Sequence, residues 1–74
     1  MLDKVKEYFE DKYRETKRAI DREYDWMTPR EFVNRGISDC LAVAMFAQTI
    51  GVKYETIDPI YNEYKEKIEN LLTD

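Results

Sequence analysis

Asp21, Glu23 and Asp25 place three carboxylates on alternate residues, the spacing with which a calcium-binding loop opens. The chemistry of such a loop is oxygen ligation of a hard cation. No glycine follows them to make the sharp turn, and Phe32 occupies the place of the closing glutamate, so the acids read as surface charge. Cys40 is the single cysteine of the chain and histidine is absent. That inventory removes an intrachain disulfide, the commonest metal ligand and the usual partner of a nucleophilic serine or cysteine. No glycine-rich loop is present to cradle phosphate. No enzyme activity, cofactor or metal is expected.

Arg14, Arg18 and Arg22 form a basic row suited to phosphate or an acidic partner. Asp11, Glu15, Asp21 and Asp25 are interleaved with it and largely cancel its field, so a solvated face of mixed charge is the reading. A net charge of −4 over 74 residues likewise argues against a general nucleic-acid coat. What remains for binding is aromatic. Tyr8 and Trp26 fall on a common flank of the first helix, about 100° off its apolar stripe. Residues of these types dominate binding hot spots, although Trp26 also stands where it would plug the end of a helical bundle.

Helices must position these residues. Leu2, Val5, Phe9, Tyr13, Thr16, Ile20 and Tyr24 recur at steps of three and four, which predicts a first helix over about 2–25. Such a helix is about 35 Å long at 1.5 Å per residue. Its back offers Glu10 with Arg14 and Glu15 with Arg18 at ion-pair spacing. Thr28-Pro29-Arg30-Glu31 has the pattern of a capping box with proline at the first helical position, so a second helix starts at 29. Gly51 ends it after Ile50. Gly36 inside it weakens the helix by about 1 kcal/mol against alanine, and a close helix crossing is the physical reason to keep it. Asp58-Pro59 repeats the cap logic and predicts a third helix over about 59–72, with a turn of helix at 54–57 as a lead-in. Its seam is Ile57, Tyr61, Tyr64, Ile68 and Leu71, and it is acidic.

The second helix carries the unbroken apolar run Cys40 to Ala47 in a chain where 38% of residues are charged. The run is too short to span a bilayer, which needs about 20 apolar residues. One side of the helix gathers Phe32, Val33, Gly36, Ile37, Cys40, Val43, Ala44, Ala47 and Ile50. Leu41, Ala42, Met45 and Phe46 fall on the other side. A helix apolar nearly all round is surrounded by protein, and two neighbouring helices do not cover that circumference. Either the packing within the chain is unusual and encloses all of these residues, or a second chain, a copy or another protein, contributes, with Leu41, Met45 and Phe46 as candidate interface residues. A domain this small is also marginal alone.

Phe46-Ala47, Gly51-Val52, Ile57 and Ile60 together resemble the helix-turn-helix motif: an alanine at the helix contact, a glycine in the turn four residues on, and apolar residues that pack the following helix. The resemblance spans 46–60 and implies a DNA-binding transcription regulator. At the reading positions stand Lys53, Tyr54, Glu55, Asp58 and Pro59; two carboxylates oppose phosphate, and proline is expected to break the helix.

The sequence thus predicts an all-α, single-domain protein of three helices: a long first helix, a central buried one and a shorter acidic third, dimeric in solution. The leading expectation is a non-enzymatic protein–protein interaction module such as an adaptor, inhibitor or regulator. The alternatives are the DNA-binding regulator and a purely architectural oligomer. Met1-Leu2-Asp3-Lys4 leads into a charged segment without an apolar signal region, so a cytoplasmic location is expected, without membrane contact.

Overall fold

A computed structural model describes residues 2–22 and 27–72. Those residues form three helices, α1 (Leu2–Asp21), α2 (Pro29–Thr49) and α3 (Tyr54–Glu69), followed by a short 3₁₀ turn at Asn70–Leu72. The expected extension of α1 to residue 25 falls on 23–26, outside the described residues.

The α2 start follows from local chemistry. Glu31 donates its backbone N–H to Thr28 Oγ1 at 3.2 Å, and Thr28 returns its own N–H to Glu31 Oε1 at 3.4 Å, while Pro29 occupies a position whose N–H would have no partner. Thr28→Ala removes the acceptor and is expected to lower stability by about 1 kcal/mol. In a domain of this size that is roughly 4–8 °C of thermal midpoint, read by circular dichroism. At the other end Val52 N–H reaches the Ala47 carbonyl at 2.9 Å and Gly51 N–H reaches that of Gln48 at 3.1 Å. This is the Schellman pairing, and it requires the left-handed backbone that Gly51 adopts at φ +103°.

The third helix begins five residues earlier than the sequence signal at Pro59. Lys53 is its N-cap and gives no side-chain hydrogen bond; Pro59 lies inside the helix. There it deletes one bond, the one its N–H would have made to the Glu55 carbonyl, on a face where Glu55 and Pro59 are both exposed. Water can satisfy that carbonyl, so the helix runs on.

All three helices contact one another. The core is Val5 and Phe9 from α1, Val33, Cys40, Ala44 and Ala47 from α2, and Ile57, Tyr64 and Ile68 from α3. Phe9 and Tyr64 stack with ring centroids 5.5 Å apart. Tyr64 donates its hydroxyl to Glu10 Oε2 at 2.8 Å, and Lys67 Nζ lies 4.8 Å from the Tyr64 ring centroid and 5.2 Å from that of Tyr13. An aromatic and charged clasp thereby ties α3 to α1 along the edge of the core.

The α1–α2 crossing centres on Gly36. A Cβ on that residue would collide with Thr16 Oγ1. Thr16 is buried, and its hydroxyl is satisfied by donating to the Lys12 carbonyl at 2.8 Å. The close approach expected for Gly36 is present, and it is a threonine that fills the space a side chain would take.

Candidate interaction surface

The first turns of α2 bury Phe32 and Val33, and beyond them the fully buried positions of the helix are small. Gly36, Cys40, Ala44 and Ala47 face inward and are buried, whereas Leu41, Met45 and Phe46 face solvent at 48%, 61% and 49% exposure. Small residues inside let α1 and α3 approach closely. Those three large apolar ones are left over, with no role in the core. Large apolar side chains normally go inside because each contributes about 1.5–3 kcal/mol when buried, so their placement on the outer face is the feature that the packing of one chain does not explain.

Tyr8 joins this surface from α1. It is 40% exposed, and its ring meets that of Phe46 edge to face, with centroids 6.4 Å apart at 71°. The structure therefore brings together four of the five sequence-derived candidates, Tyr8, Leu41, Met45 and Phe46. Trp26, the fifth, lies outside the described residues. The expectation of a helix enclosed on most sides is corrected for the chain by itself: α1 and α3 cover one side of α2 and leave the other open. Ala42 falls on the outer side as expected, and Ile50, expected on the inner face, is corrected to the outer one. Ala42 is exposed between the large residues, and Ile50 is exposed one turn beyond Phe46 on the same ridge; the i, i+4 spacing from Phe46 was the available signal for Ile50.

The α2 part of the surface is also uncharged, whereas Tyr8 stands among Lys4, Glu7, Glu10, Asp11 and Arg14 of α1. From Cys40 to Val52 there is no Asp, Glu, Lys or Arg. The nearest charges on the helix, Arg35 and Asp39, line a cleft of about 360 Å³ over the Gly36 crossing together with Lys12 and Glu15 of α1. The two signs balance in that cleft, and Lys12 Nζ and Glu15 Oε2 already pair at 3.6 Å. This is a correction to the expected pairing of Glu15 with Arg18: the i, i−3 lysine takes the carboxylate. The expected Glu10–Arg14 pair forms, at 3.6 Å. Exposed pairs of this kind contribute a few tenths of a kcal/mol.

Among the described residues no group of three or more His, Cys, Asp or Glu is placed to hold a metal, and no helix is long and apolar enough to cross a membrane. Cys40 is enclosed; burial, with a further push from Asp39 against the pull of Lys12, raises its thiol to about 11. A reactive cysteine needs the opposite shift. Burial also raises the Tyr64 phenol to about 12, helped by its hydrogen bond to Glu10 and by the nearby Glu10 and Glu63 charges. Both groups are held neutral by the fold. Their contribution to stability is fully present below their ordinary values of 9.0 and 10.0 and is lost as pH rises through about 11 and about 12. Thermal midpoints measured across the alkaline range are expected to stay flat to about pH 9 and then fall. Cys40→Ala and Tyr64→Phe should each flatten part of that fall, and a profile the substitutions leave unchanged would assign it to other groups.

The corner that resembles a helix-turn-helix motif is formed as that pattern requires, with Ala47 and Ile57 buried and Gly51 in the turn. Its proline does not break the second helix. Of its reading positions, Lys53, Tyr54, Glu55 and Pro59 are exposed and Asp58 is half-buried. No known protein family matches the chain, and neither does any curated protein or solved structure.

Proposed function

We propose that this chain is a small non-enzymatic protein–protein interaction module whose binding surface is the outer face of α2 with Tyr8 beside it. The single observation behind this reading is that Leu41, Met45 and Phe46 are large, apolar and about half or more exposed, while Cys40, Ala44 and Ala47 beside them are buried. The largest exposed apolar patch on a monomer, typically about 300–600 Å², is often functional. The rest of the molecule supports binding over chemistry: its one thiol is enclosed and suppressed, and the charges around its α1–α2 cleft cancel one another. Adaptor, inhibitor and regulator all act in this way, by covering a surface of another protein.

The test is Met45→Glu. It places a charge on Met45, the most exposed of the four large side chains of the surface and outside the core, so helicity should survive while association is abolished. Proteins retained by the immobilised chain and released by Met45→Glu would be partners of this face. Identical retention by both chains would remove the face from the proposal.

The α2–α3 corner gives one specific reason to keep a second reading, that of a DNA-binding regulator. The carboxylates of α3 oppose it through phosphate repulsion. A gel-shift titration separates the two: sequence-specific binding at physiological salt would replace the first reading, and its absence would leave the corner as a packing device.

A further inference from the structure

We propose that the outer face of α2 is an isologous dimer interface whose occupant is the same face of a second copy of this chain; the proposal rests on the reading of that face as a binding surface. Area is the first argument. Tyr8, Leu41, Met45 and Phe46 are each about half exposed, and at roughly 200 Å² per large side chain they offer about 400 Å² of apolar surface. One side of a standard interface buries about 800 Å², a little over half of it apolar. The face supplies what one protomer of a stable dimer needs.

Charge is the second argument. A twofold axis sets a face against its own copy, so every charge on it meets its own sign nearby. Residues 40–52 carry none, and Arg35 and Asp39 are turned into the cleft with α1. The α2 ridge therefore meets itself without repulsion, while Tyr8 at its edge is flanked by charges of both signs, Lys4, Glu7, Glu10, Asp11 and Arg14. A foreign partner is ordinarily selected by complementary charge, which this ridge does not offer. Its side chains also suit self-pairing, since small Ala42 is exposed beside the larger Leu41, Met45 and Phe46, and a large side chain of one copy can pack over the small one of the other. A chain of 74 residues without a disulfide is moreover of the size that gains most from a partner.

Molar mass by light scattering over a dilution series tests the proposal on the full chain. The expected result is twice the monomer mass, with dimerisation at least about 100-fold weaker in Met45→Glu, because two unpaired carboxylates would be buried per dimer. Leu41→Lys is the second variant, and circular dichroism confirms that either chain is as helical as the parent. An independent readout uses Ala42→Cys. A residue beside a twofold axis faces its own copy, so mild oxidation should give a covalent dimer. The parent chain should give none because Cys40 is enclosed.

A dimer that withstands both Met45→Glu and Leu41→Lys, with Ala42→Cys uncrosslinked, would place self-association elsewhere and overturn the proposal. A monomer at every concentration would overturn it too. In that case the broader reading is decided separately by the retention experiment: a partner lost from Met45→Glu keeps the face as a site for a different protein, and no such partner removes it.

Discussion

Phe9→Ala is expected to lower stability by about 3–5 kcal/mol, the range for deleting a fully buried phenylalanine. The ring is completely enclosed and stacks on Tyr64, so its removal leaves a cavity between α1 and α3 and strips the clasp of its apolar backing. A chain of 74 residues has a total stability of roughly 4–11 kcal/mol. One substitution therefore uses up much or all of it. Thermal unfolding followed by circular dichroism should show a midpoint at least about 15 °C lower, or no cooperative transition at all. Exposed Asp11, on the same helix, is the control, since Asp11→Ala should stay within about 0.5 kcal/mol. Equal effects at the two sites would mean that α1 does not dock through Phe9.

Gly36→Ala should destabilise the protein by about 1–3 kcal/mol although alanine is the better helix former by about 1. The sign decides the point. The new Cβ would sit on Thr16 Oγ1 and press on its Cγ2 and Cβ; threonine is short and branched, so it has no flexible end to swing aside. Turning the hydroxyl away breaks its bond to the Lys12 carbonyl and leaves a buried donor without a partner, at about 1–3 kcal/mol. Separating the helices instead opens the core. Thr16→Ala makes room for the methyl, so the double variant should recover much of the loss, with a coupling of about 0.5–3 kcal/mol in the cycle. A Gly36→Ala chain more stable than its parent would show that the crossing has room for a methyl group.

How much of this was legible in the sequence depended on whether the signal was local. The capping box at Thr28 and Glu31 and the Gly51 stop lie within four residues of the backbone groups they satisfy, and both ends of α2 follow from them. The start of α3 was misplaced because its real N-cap, Lys53, has no capping side chain, while Asp58-Pro59 imitates a cap inside the helix. The Gly36 crossing was legible as a penalty in need of a reason, but its partner was not, since Thr16 looked like one more position on the α1 stripe. The clasp joins Glu10 to Tyr64 across 54 positions, and no spacing rule reaches that far. The candidate surface was half legible. Helical geometry put Leu41, Met45 and Phe46 opposite the small residues, and the contact of Tyr8 with Phe46 emerged only when α1 was laid beside α2.

The arrangement of α2 beyond Val33, with small residues at its fully buried positions and large ones outside, has a consequence for how such a chain can change over generations. In most small domains the bulky side chains that would make a good contact are the same ones that hold the fold, so altering one disturbs the other. Here the two are divided between opposite sides of one helix. Substitutions at Leu41 and Met45 can drift without disturbing the core, whereas Phe46 is also constrained by the Tyr8 ring. Gly36, Cys40, Ala44 and Ala47 have almost no freedom, because even a methyl group must find space.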